Sequence, residues 1–425
     1  MTKLELTITA ISALALGRRK PGDSVSEVEN YIPGSVLRGA IASQILQLSG
    51  RHSVNLAENG GDFLNLFLDE SAAVFGNAYP AVTKIDDKLT AVNNQIKVLP
   101  ATAVSSKTNP GFKTDKGHGV FDTLIDAFCA AAYNQPYQPS DSRAIVQGTN
   151  PQVETYSSFY SLINNNYYSH NASSRFLTRV GINRRRATSE EEILYSIQVL
   201  NESFLKNIKT DEWDNFVFRG FVGVDNESLA EKLQEFIQIN SDKFRIGGSI
   251  SRGLGKVKIA VSQGKASCLN LQSQIDNFNQ ALRNRWQLWS IFGKCENDLL
   301  SDRTYFTLDL QSDAILSENW QRTTVISADM LKDVANIDDE SLEMHLAYSS
   351  YDYRSGWNSA WGLMKDVELV TNKGSVYLFS TSKPEKWYAV LKKLSEKGIG
   401  DRTCEGFGQV EVCNEFHQVF RENGK

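Results

Sequence analysis

Leu4, Leu6 and Ile8 alternate with polar residues in "KLELTIT", the period of a half-buried strand. A helical pattern follows in "YIPGSVLRGAIASQILQL", where Leu37, Ile41, Ile45 and Leu48 recur behind Pro33, Gly34 and Ser35. Ser35 is the expected N-cap there. Further on, "FVFRGFVGV" alternates as a strand, and "SLAEKLQEFIQI" spaces Leu229, Leu233, Phe236 and Ile237 as a helix with Ser228 as its expected cap. A glycine loop, "IGGSISRGLGKVKI", then leads into another strand. The same order returns late in the chain. Phe306, Leu308 and Leu310 mark an opening strand, "GSVYLFST" a later one, and "KPEKWYAVLKKLSEKG" a helix with Pro384 near its start and Gly398 at its end. After it comes "GIGDRTCEGFGQVEV", so that Gly253-Leu254-Gly255-Lys256-Val257-Lys258-Ile259 overlays Gly406-Phe407-Gly408-Gln409-Val410-Glu411-Val412.

A duplicated β-α-β pattern predicts an α+β protein with two ferredoxin-like (RRM-like) domains in tandem. The expected domains are 1–262, with an insertion at about 80–215, and 263–425. Leu271, Ile275, Phe278, Leu282, Trp286 and Trp289 predict a connecting helix near the boundary. Within the insertion, the Tyr-, Asn- and Ser-rich "ETYSSFYSLINNNYYSHNASS" reads as a long loop.

Composition narrows the function classes. Of the 425 residues 41% are hydrophobic and 22% charged, and no apolar run approaches the ~20 residues of a membrane span. A cytoplasmic protein without membrane contact is expected. The five cysteines, Cys129, Cys268, Cys295, Cys404 and Cys413, include no CxxC pair, which predicts reduced thiols and no metal site. A net charge of −5 excludes a uniformly basic coat, so any RNA contact must be a local basic surface. The glycine loop follows a helix and opens a strand, the reverse of a dinucleotide or P-loop motif, and no cofactor is expected.

"YIPGSVLRGA", "VFGNAYPA", "TRVGINRRRATSEEEILYS" and "GGSISRGLGKV", in that succession, resemble the signatures of the RAMP superfamily, the repeat-associated proteins of CRISPR effector complexes. The carboxy-terminal "SGWNSAWGLMKDVELVTNKGSVYLF" and "GIGDRTCEGFGQV" are similar to the double-RAMP subunits of type III-D complexes, which cap the 5′ end of the guide RNA. The resemblance implies two RAMP domains and a non-catalytic subunit that holds the 5′ handle of CRISPR RNA. Its implied partners are the large signalling subunit and the backbone RAMP subunits, with target RNA met indirectly. The alternative is a metal-independent endoribonuclease that processes repeat RNA with a histidine. Of His52, His118, His170, His345 and His417, only His118 falls in a plausible loop, and the sequence shows no partner for it.

Glycine permits positive φ and lets a main chain approach an oxyanion closely. Gly247, Gly248 and Gly253 are therefore candidate RNA contacts, with Arg245, Ser249, Ser251, Arg252 and Lys256 as donors around them. The alternative is a tight turn, and for the second, more acidic loop the two readings balance. By resemblance Ser35 and Arg38 lie along the RNA path, with Arg18 and Arg19 nearby. Arg184, Arg185 and Arg186 are implied to form a protruding thumb, against the plain reading of a solvated hairpin. Lys107, Lys113, Lys116 and His118 sit in a glycine-rich loop that reads either as a plain flexible loop or as a segment that orders on guide RNA or a neighbouring subunit. Tyr351, Tyr353, Arg354 and Trp357 suit base stacking or, more commonly, a core.

Overall fold

The alternating segment at the amino terminus is the strand Thr2–Ala10, and Leu4, Leu6, Ile8 and Ala10 are all completely buried on one face. The computed structural model describes all residues except 19–26, 52–54, 59, 70, 87, 184–187, 208–209, 265–269, 294–299, 359–361 and 423–425. Side chains of residues 18, 60, 181–183, 188–194 and 357–358 are likewise left undescribed. Thr2–Ala10 pairs antiparallel with Val217–Val224 on one side and Val257–Gln263 on the other, and Ala73–Phe75 extends the sheet beyond Val217–Val224. Helices Gly34–Gln47 and Glu227–Ile239 connect the first strand to the second and the third to the fourth. Numbered along the chain, the strands lie in the order 4-1-3-2, the ferredoxin-like arrangement.

The second unit repeats it. Strands Glu343–Tyr348, Val376–Thr381, Thr304–Leu310 and Val410–Val412 lie side by side in the order 2-3-1-4, with helices Ala328–Ala335 and Glu385–Lys397 in the equivalent connections. Leu271–Trp289 is the expected connecting helix. Two caps differ from the sequence reading. Asn226, not Ser228, caps Glu227–Ile239 by accepting from Leu229 N. Ser35 lies inside its helix, which starts at Pro33 without a side-chain cap of its own.

The segment between Phe75 and Val217 is folded rather than loop-like. Phe159–Ile163 and Asn166–His170 form a hairpin turned by Asn164 and Asn165, both at positive φ, with Phe159, Tyr160 and His170 buried. The expected long loop is thus a packed element: its tyrosines face Phe112 and Phe416, while asparagines supply the turn. The insertion also reaches into the other unit. Its helix Leu124–Ala132 contributes Leu124, Ile125, Phe128 and Cys129 to the second hydrophobic core. Phe128 lies 5.4 Å from Tyr305, ring centre to ring centre, and Asp126 pairs at 2.5 Å with Arg285 of the connecting helix.

Consequently the strand Thr304–Leu310 is buried on both faces. Phe306 packs towards Trp387 of a helix, whereas Tyr305, Thr307 and Asp309 face the insertion and the chain's end. An RRM-like sheet stacks bases on that outer face, and here protein fills it.

His417 lies on this buried side, 2.7 Å from Asp309 and 3.2 Å from Asp122, all three essentially inaccessible. Burial alone disfavours its cation, but the two carboxylates outweigh it and push the imidazole up to about 10. A pKa raised on folding adds stability that is complete below the unfolded value near ~6.5 and lost as pH rises through the folded one. Urea melts are therefore expected to show stability falling between pH 6.5 and 10. A flat profile there would rule out a charged His417.

Candidate nucleic-acid interface

The two glycine loops share their turns and their backbone hydrogen bonds. Ser249 and Arg402 both adopt φ 57°, a 3-10 turn follows at Ile250–Arg252 and Thr403–Glu405, and Gly253 and Gly406 close the turns at φ 86° and 89°. Each loop leans on the segment after its unit's first strand. Gly248 N donates to Ala15 O and Gly255 N to Ala13 O, at 2.8 and 2.9 Å; Asp401 N and Gly408 N donate to Ile315 O and Asp313 O, both at 2.8 Å. A Cβ on Gly247 would stand 2.6 Å from Ala15 O, and one on Gly255 would overlap Ile246 O. These two glycines are thus required by the chain's own backbone, whereas for Gly247 the sequence reading had looked to an approaching phosphate.

The loops differ in their surroundings. Around the first, Arg245, Gly248, Ile250, Ser251, Arg252, Gly253 and Lys256 are exposed, and a Cβ on Gly253 would meet nothing within 4 Å. The second is seated on the first unit: a Cβ on Gly406 would lie 2.7 Å from Phe75 O and 3.2 Å from Gly34 Cα. Its Glu405 is contacted by Arg38, Lys365 and Arg402; burial pushes its carboxyl up, but Arg402 and Lys365 together hold it below its ordinary range. The balance left by the sequence falls on the structural side for this loop.

That contact also involves the Pro-Gly-Ser helix start. Asn77 Oδ1 accepts from Gly34 N at 2.8 Å, and the second loop packs against Gly34, so this first amide already has its partner. Arg38 is engaged as well, pairing with Glu405 and donating to Phe67 O. Ser35 and Arg38 therefore sit at the junction of the two units, apart from the first loop.

What the structure gathers around the first loop is a hairpin. Ser174–Asn183 pairs with Thr188–Leu200, and its Val199, Leu177 and Ile197 pack with Leu254, Ala13 and Ala15 under the loop. Arg252 donates to Tyr195 Oη at 2.6 Å with its guanidinium 5.4 Å from that ring's centre. Tyr195 was not singled out in the sequence; only its alternation along "ILYSIQVL" hinted at a strand. Phe176 and Val180 are exposed on the hairpin, 60% and 49%. Arg184, Arg185, Arg186 and Arg19 lie outside the described residues, and Arg18 is described only as backbone of the short strand Gly17–Arg18. Lys107 is exposed elsewhere, at the end of the strand Ala103–Ser106.

The histidines separate clearly. His170 is buried, its pKa depressed by burial to about 4, and bonded to Ser161 and Val82 O. His345 and His417 are bound into the second core, while His52 is outside the described residues. His118 has a partner the sequence did not show, with Nδ1 2.6 Å from Asp141. Arg354 is no stacking residue: it is buried against Asp313, Glu29 and Tyr31. Tyr351 and Tyr353 beside it are exposed, 60% and 50%. Cys129, Cys404 and Cys413 are buried and form no disulfide among the described residues. Among the described residues no helix is long and apolar enough to cross a membrane.

Tandem ferredoxin-like units with glycine loops define a class of protein, and the sequence places the chain within it. Residues 7–258 match the RAMP superfamily, more than half of the chain, which therefore belongs to that family. No curated protein matches it. Solved structures similar to it include a chain of the type III-B Cmr-beta complex bound to cognate target RNA and AMPPnP, at 11% identity over 93% of this chain and 90% of that one, with a TM-score of 0.40. A chain of the Csm3–Csm4 subcomplex of the type III-A CRISPR-Cas interference complex is 14% identical over 89% and 92%, with a TM-score of 0.31. A Cas6-related protein from Pyrococcus furiosus is 9% identical over 97% and 99%, with a TM-score of 0.32.

Proposed function

We propose that this RAMP protein is a non-catalytic, cytoplasmic subunit of a type III-D CRISPR effector complex, holding the 5′ handle of the guide RNA and docking the large signalling subunit and the first backbone subunit. The observation that carries this reading is the contrast between twin loops of one backbone. The second is consumed as a joint, whereas the first is left open, basic and flanked by a hairpin. Arg245, Arg252 and Lys256 offer charge to phosphates, and Ser249 and Ser251 offer hydroxyls to phosphate and sugar oxygens. Tyr195 and Phe176 put aromatic surface beside them for an unpaired base. His170, His345 and His417 are held inside protein contacts, which supports binding over cleavage and leaves His118, paired with Asp141, as the histidine a nuclease would use.

Arg252→Glu is expected to reduce guide RNA retained by the purified complex by about tenfold, the size of one lost charged contact, with the fold unchanged by circular dichroism. Unchanged retention would remove the loop from the RNA path. Metal-independent cutting of repeat RNA that disappears in His118→Ala would replace this reading with the nuclease one.

A further inference from the structure

A cleft of about 500 Å³ opens where the Lys107–Gly119 segment of the insertion meets Asp141–Arg143 and Phe420, Arg421 and Glu422. Lys113, His118, Arg143 and Arg421 line it together with Ser106, Ser140 and Ser142. Phe121 and Phe420 form part of the wall. Three permanent cations facing one opening repel one another. Burial lowers the Lys113 ammonium pKa, Glu422 opposes that shift, and repulsion from Arg143 and Arg421 adds to it. Such an arrangement is relieved by an anion.

The remaining groups are held as a receptor requires. Asp141 is 5% exposed and accepts from Arg143 N and Ala144 N, so its position is set by the backbone. It holds His118 through Nδ1, which leaves Nε2 as the ring nitrogen available to a ligand. Arg421 Nη2 donates to Ser142 Oγ at 2.5 Å, fixing one guanidinium edge at the rim. Glu422 faces inward but takes Lys113 N and Val120 N at 3.1 and 2.9 Å, and burial pushes its carboxyl up, weakening its opposition to an anion.

We propose that this cleft binds one backbone phosphate of a single-stranded RNA, with Lys113, Arg143, Arg421 and His118 Nε2 on the phosphate and Phe121 and Phe420 against the adjoining nucleoside. The size of the cleft exceeds a bare phosphate and its lining pairs cations with rings, the combination that seats a nucleotide within a strand. Exposed Lys107, one residue beyond Ser106, continues the positive surface out of the cleft. This is a second RNA contact, resting on the reading of the chain as an RNA binder yet independent of Arg252.

The test is titration of a fluorescent 12-nucleotide RNA with the full-length protein across a salt series. The double variant Arg143→Gln/Arg421→Gln is expected to weaken binding about tenfold and to flatten the salt slope by about 0.7, the share of one phosphate contact on a single strand. Glu422→Gln keeps one side-chain oxygen to accept from the backbone amides, removes a negative charge, and is expected to tighten binding. In Arg252→Glu these changes should persist, so loss of the Arg252 effect alone would count against the glycine-loop reading and leave the cleft standing. A folded double variant with unchanged affinity and slope would overturn the proposal. So would adenosine monophosphate displacing the RNA from wild type as well as an unlabelled strand does, because the site would then serve free nucleotides.

Discussion

Gly406→Ala is expected to cost about 3 kcal/mol of stability and Gly253→Ala only about 1–2 kcal/mol, read as shifts of the urea midpoint. Both residues close a loop at nearly the same positive φ, 89° and 86°, so the backbone penalty for an L side chain is common to the pair. The difference is the second contact. At Gly406 the new methyl would press on Phe75 O, Asn77 Oδ1 and Gly34 Cα, atoms of a sheet edge and a helix start that cannot move independently. At Gly253 it would project into open space. Gly34→Ala attacks the same joint from the other side, since its Cβ would overlap Phe75 O and lie 2.7 Å from Glu405 O. It should therefore resemble Gly406→Ala. Equal costs at Gly253 and Gly406 would mean that the second loop is not seated on the first unit.

The same comparison shows what a sequence of this kind reveals. Period-two and helical patterning at Leu4, Leu6 and Ile8 and at Leu229, Leu233 and Phe236 announces elements because burial on one face acts locally, residue by residue. The duplication was legible because glycine is nearly irreplaceable where φ is positive, as at Gly253 and Gly406. What those glycines press against was not legible, since Ala15 and Phe75 come from distant parts of the chain. Capping misled for a related reason: Ser35 has the right chemistry next to the right helix, but the amide of Gly34 is satisfied by Asn77, 43 residues on. His118 and Asp141 are likewise 23 residues apart and joined only by the folding of the insertion.

Arg354→Met is expected to destabilise the protein by about 3–5 kcal/mol, the range for a buried ion pair stripped of one partner. The guanidinium lies 2.5 Å from Asp313 and 3.2 Å from Glu29, and donates to Tyr31 Oη at 2.9 Å. Glu29 and Tyr31 belong to the first unit, whereas Asp313 and Arg354 belong to the second. Removing the cation leaves two carboxylates facing each other, with Glu29 and Asp313 7% and 2% exposed. The cost must then be met by protonation or by parting the units. Screening cannot supply the missing charge, so added salt should recover little of the loss, unlike for a surface pair such as Lys206–Glu212. The triple variant Arg354→Met/Glu29→Gln/Asp313→Asn removes the stranded charges while keeping amide groups for the neighbouring donors, and should regain most of the stability. A loss below about 1 kcal/mol for Arg354→Met would equal that of an exposed pair, and would place the cluster in water rather than in the joint between the units.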